Sequence, residues 1–327
     1  MVNNKVLTSV EYGALWTTYQ KKTMILCFLQ YFIEKSEEPK AKDLMKGLHD
    51  KLNTKVNEIR NILEGAGAII PNGFTNDDVY LDAPVLFEQG FDIMFSRILK
   101  EISMGMYVLH TTISYRPDII NLYRSLTELT QKYYYYFTEY LLDHKLMLNP
   151  PVINMPHSKS YIEDPSYMKG TNIFGNKRNF NVVEYGLLYH SLESNVLGMQ
   201  LMKGFAQTSA NSDVKEYFQK GYELAKKIYL ETEEMLLNSD ILTPSIVSRK
   251  VTSSTTAPFS DKLMMFCTYL LNGFSIGGQG FGAVFCLRND AILQSGVFAK
   301  DVLSFGLKGA RIMMERGWLE EPPSMNN

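Results

Sequence analysis

Two glutamates stand in the same tetrapeptide, Val-Glu-Tyr-Gly: Glu11 in residues 10–13 and Glu184 in residues 183–186. A carboxylate repeated on helices could start a site for two metal ions. Such a site also needs Glu-x-x-His on the two remaining helices, because i, i+3 spacing puts both ligands on one face. None of His49, His110, His144, His157 and His190 has a glutamate three residues before it. The reversed order occurs once, as His190-Ser-Leu-Glu193, and the first copy has Thr17 and Gln20 there. At about 100° per residue, Glu184, His190 and Glu193 cannot converge from one helix. His190 then belongs to a solvated face or to a contact between the two halves. The cysteines Cys27, Cys267 and Cys286 form no CxxC pair and fit a reducing compartment. The residues therefore predict no catalytic group and no cofactor. If a metal is bound, Glu11 and Glu184 are the residues to hold it.

Both glutamates have a second reading. Thr8 and Asn181 stand three positions before them. Ser/Thr-x-x-Glu is the capping box, and Asn caps equally well, so each glutamate reads first as a helix starter.

Stepping from Glu11 to Glu184 takes 173 positions, and from Pro71 to Pro244 the same 173. Ser103 and Ser275, Gly105 and Gly277, Arg116 and Arg288, and Asp118 and Asp290 are 172 apart. Pro151 and Pro323 close the match, so the chain is a duplication with one net deletion. The expected division is a first unit over 1–150, a linker over 151–180 and a second unit over 181–323. Helical apolar spacing predicts helices over about 8–36, 39–65, 86–115 and 117–148, then 181–208, 212–238, 260–287 and 289–317. Short joins make helices 1 and 2 antiparallel, and likewise 3 and 4. A long connection separates helices 2 and 3 in each copy. One long crossover between two antiparallel pairs predicts an all-α protein of two tandem ferritin-like four-helix bundles.

Other features read as structural. Arg116 and Arg288 are placed at the end of helix 3, with Asp118 and Asp290 serving first-turn amides. The run Gly273–Gly282 has no preceding strand and no Gly-Lys-Ser/Thr. It is expected to be a close helix–helix seam, with a small-molecule or lipid-like ligand along it as the other reading. In 133–140, Tyr133, Phe137 and Tyr140 should face the core, and Tyr134 and Tyr135 elsewhere. Net charge is −2 with no basic clustering, which argues against nucleic acid. The uncharged stretch 263–287 reads as a buried helix in preference to a membrane span, because its first-copy partner contains Lys100 and Glu101.

With "LTSVEYGALW", "FSDKLMMF", "RND" and "GWLEEPP" in view, the chain resembles the family classed as domain of unknown function 3231, from spore-forming Firmicutes. These are tandem four-helix bundles, distantly similar to spore coat F-type proteins. The resemblance implies the fold and a cytoplasmic or spore-associated setting, and no activity. It also implies that histidines found in some members correspond to Lys55, Ile228 and Cys267 here. The expected function is a non-catalytic structural or interaction protein, associating with a protein partner or with itself. The alternatives are a divergent metal-carboxylate protein and a carrier of an apolar ligand.

Overall fold

The computed structural model describes residues 6–147, 150–169, 178–243 and 251–325. Residues 170–177 of the expected linker and 244–250 of the second crossover, Pro244 included, lie outside the described residues. The described residues form eight α-helices: α1 (Ser9–Lys35), α2 (Pro39–Gly65), α3 (Phe91–Thr112), α4 (Pro117–Asp143), α5 (Val182–Thr208), α6 (Ser212–Leu237), α7 (Asp261–Phe285) and α8 (Asn289–Glu315). The third helix starts five residues later than expected. Gly90, with φ of 88°, occupies its N-cap in the left-handed region that glycine tolerates.

Helix α2 shows how one face is chosen. Met45, Leu48, Leu52, Val56, Ile59 and Leu63 recur at three- and four-residue steps and are all buried. Helix α1 is different: it is buried on nearly every side, because it lies at the middle of the molecule. It packs on α2 and α3, while α4 closes the group against α2 and α3. In the second copy α5 packs on α6 and α7, and α8 closes against α6 and α7. Each set of four encloses an interior, and α3 touches α5 across the boundary.

One hydrophobic cluster runs through both bundles, and the second has two smaller clusters of its own. Phe28 of α1 lies 4.3 Å from Phe259 and 6.4 Å from Phe205, ring centre to ring centre. The long crossovers make the join: Val79 bridges to Phe259 and Phe87 to Val251 in isolated antiparallel pairs. Ser260, the N-cap of α7, donates its hydroxyl to Asp78 at 2.6 Å. From the C-terminal "GWLEEPP", Glu320 accepts the amides of Asn72 and Gly73 at 2.7 Å each. Each crossover thus runs against the other copy, a role that loop length alone does not reveal. At the expected linker's end, Phe180 is buried beneath the Arg288 guanidinium, 3.7 Å from its ring centre. No helix among the described residues is long and apolar enough to cross a membrane.

Candidate functional site

Both capping boxes form. Thr8 and Asn181 accept the amides of Glu11 and Glu184, and each glutamate takes its cap residue's amide in return. The carboxylates do more than cap. Glu11 Oε1 accepts the amides of Tyr115 and Arg116, at 2.8 and 2.7 Å, from the turn between α3 and α4. Glu184 Oε1 accepts the Leu287 amide from the matching turn, at 2.9 Å, and both its oxygens take Arg178 donors at 2.7 Å. Burial pushes the Glu184 carboxyl up, but Arg178 and the Asn181 and Leu287 amides outweigh it and hold it down to about 2. Glu11 is also lowered, with burial again opposing and the Arg116 amide, the Thr8 hydroxyl and the Tyr115 amide prevailing. These glutamates therefore lock each bundle's first helix to its third turn. Among the described residues, no three His, Cys, Asp or Glu gather as a metal site would require.

Arg116 and Arg288 are N-caps of α4 and α8, one step beyond the helix 3 terminus expected for them. Each guanidinium grips the aspartate two residues on, Asp118 or Asp290, through two hydrogen bonds.

His190 faces the other bundle. Its Nε2 lies 2.5 Å from Glu101 Oε1 of α3. One turn on, Glu193 accepts from Arg97 at 3.1 Å, and Arg97 also donates to Tyr134 at 2.6 Å and to Thr138 at 3.1 Å. The hydrogen bond to Glu101 holds the His190 imidazole above its ordinary range despite burial. Tyr133, Phe137 and Tyr140 are buried as their spacing requires, Tyr134 meets this contact, and Tyr135 is exposed.

The two interiors differ. The second bundle holds a partly open cavity of about 130 Å³ lined from all four helices, with Leu197, Leu201, Ile228, Phe298 and Val302 among the apolar walls. Applying the repeat offsets explains the space. Gly198, Ala225, Gly278 and Gly282 line it, where the first copy has Ile25, Leu52, Met106 and His110. The glycines of α7 therefore do not form the close seam expected. A Cβ built at Gly273, Gly277, Gly278 or Gly280 meets nothing within 4 Å, and only Gly282 approaches a neighbour, Ser295. Polar side chains also line it, and several are bonded elsewhere, as Asn195 is to the Ser191 carbonyl at 2.8 Å and His190 to Glu101. The buried Ser194 hydroxyl has no partner.

The first interior holds buried amines. Lys21, Lys22 and Lys100 are 2 %, 0 % and 0 % exposed. Their repeat counterparts are Ser194, Asn195 and Asn272. Lys21 and Lys22 nitrogens lie 5.8 and 4.7 Å from the Tyr107 ring centre. Burial, helped for Lys21 by the neighbouring Lys100, brings Lys21 and Lys100 down to about 7 and Lys22 well below its usual range. Sequence reasoning passed over these lysines. The available signal was adjacent lysines on a helix with apolar residues on every side.

Comparison with known proteins adds the family. None of the curated proteins compared matches the chain. A solved structure titled a "putative spore coat protein" from Bacillus halodurans C-125 is similar, with 16% identity and a TM-score of 0.44. The match covers 46% of this chain and 98% of that one. The family described as "Protein of unknown function (DUF3231)" matches residues 1–158 and again residues 168–327. With two successive matches that together cover almost its whole length, the chain belongs to the DUF3231 family.

Proposed function

We propose that the chain is a non-catalytic binding protein built from two ferritin-like bundles, with an apolar molecule held inside the second. The cavity is the observation that carries this reading. Its volume of about 130 Å³ is close to that of engineered apolar cavities, ~150 Å³, which stay dry and take up benzene or xenon. The unpartnered Ser194 hydroxyl offers one polar anchor to an otherwise apolar ligand. Extraction and mass spectrometry of the natively produced chain test it. Wild type should release an apolar compound in stoichiometric amount, and Gly278→Met, which grafts in the first copy's residue, should release little. A wild-type chain that carries nothing extractable and takes up no added apolar probe sinks the reading. Gly278→Met should also raise stability by about 1 kcal/mol, since glycine is costly within a helix.

A second observation supports an interaction role. Phe281, Val284 and Phe285 of α7 and Leu293 and Val297 of α8 are exposed. Residues 273, 277, 280, 281 and 284 share one helical face by their spacing. Self-association through this face predicts a dimer mass in sedimentation, reduced to monomer by Phe281→Asp. A monomer at all concentrations contradicts it. The spore-linked setting rests on the family resemblance. A metal at Glu11 or Glu184 would have to displace the amides and, at Glu184, the Arg178 ion pair that now hold the oxygens.

A further inference from the structure

We propose that the centre of the first bundle, where Lys21, Lys22 and Lys100 come together without a carboxylate, is a binding site for a small oxyanion. A protonated lysine is a donor only, with three N–H groups and no acceptor. Lys22 donates to the Ser103 hydroxyl at 3.4 Å, while the Lys21 and Lys100 nitrogens have no hydrogen-bond partner. The Ser96 hydroxyl, also on α3 and 1 % exposed, has none either. A buried polar group without a partner is costly, and a buried cation far more so. What this donor set lacks is negative charge and acceptor oxygens, which a phosphate or a carboxylate supplies.

The surroundings contain no competing anion. Helix α1 contributes Lys21 and Lys22, and α3 contributes Lys100, Tyr107 and His110. Helix α4 contributes Tyr123, and the buried face of α2 is apolar. No carboxylate acts on the three amines; Glu11 acts on Tyr123, and its oxygens are taken by amides and by Thr8. Lysine carries its ammonium on a flexible four-carbon stem, so the amines can part around a guest. The same three positions are polar in the second copy, where they are Ser194, Asn195 and Asn272.

Anion entry brings protons with it, because the empty site favours neutral amines. The test uses the full chain, inorganic phosphate and acetate as probes, and chloride at equal ionic strength as control. Calorimetric titration and thermal shift are read at pH 6.5 and 9. At pH 6.5 at least one probe should bind saturably, and its affinity should fall tenfold or more at pH 9. Binding of phosphate alone assigns an inorganic or phosphoryl group; binding of acetate assigns a carboxylate. Lys100→Met and Lys21→Met should each abolish the effect, and Lys46→Met, at an exposed position of α2, should retain it. No shift beyond chloride, an affinity independent of pH, or retention in both buried-lysine variants overturns the proposal.

Discussion

Lys100→Met is expected to make the anion-free protein more stable at neutral pH, by roughly 1–3 kcal/mol, the cost of a buried polar group left without a partner. Lys100 is fully buried and its amine has no partner. Methionine keeps the length of the stem and removes the group that resents burial. The native amine titrates near 7 against an ordinary 10.5, for Lys100 and for Lys21 alike. Between those values the unfolded chain holds protons that the native chain does not. Lowering the pH through that window therefore favours unfolding, by about 1.4 kcal/mol per pH unit for each such lysine. Wild-type stability should climb from pH 7 to 9.5 in urea titrations, and Lys100→Met should climb less steeply. A wild-type stability that is flat or falls over that interval contradicts the burial of uncharged amines.

Glu184→Ala has the opposite sign. It strands the Leu287 amide, leaves the Arg178 guanidinium with only the Tyr167 and Asn179 carbonyls and no anion, and removes the second half of the α5 capping box. Loss of one partner from a buried pair costs about 3–5 kcal/mol, and a lost cap about 1 kcal/mol, with overlap between the two. Glu11→Ala should cost less, because Glu11 has amides and a hydroxyl but no guanidinium. Urea midpoints of the two variants give the comparison; equal losses contradict the part assigned to Arg178. The Glu184 carboxyl is depressed to about 2 from an ordinary 4.5. Its contribution is present in full above 4.5 and is lost as the pH falls toward 2, so Glu184→Ala should narrow its deficit in acid.

Local devices were readable from the sequence. Thr8 and Asn181 three residues before a glutamate announced two helix starts, and helical apolar spacing announced eight helices. These depend on neighbours in the chain, so pattern suffices. The further use of the same glutamates was not readable, because the amides of residues 115, 116 and 287 arrive from about a hundred positions away. The α7 glycines show a different failure. Glycine signals missing volume, but sequence does not say whether a neighbour fills it. At Gly204 the Phe87 ring does so, a Cβ there lying 2.6 Å from it; at Gly278 nothing does. Comparison of the two copies held the answer, since Ile25, Leu52 and Met106 stand where the second copy has Gly198, Ala225 and Gly278. The lysines were hidden for a related reason. Lys21 and Lys22 look like a solvated face until α3, with Ser103 and Tyr107, is known to lie against them.

The two interiors of the duplicated chain have diverged, one holding buried amines and the other a largely apolar cavity. A crystal structure of the full chain under xenon pressure tests this most directly. Xenon should appear in the second bundle among Leu197, Ile228, Phe298 and Val302, and not among Lys21, Lys22 and Lys100 of the first. Ordered water filling the second interior, with no xenon there, would contradict it.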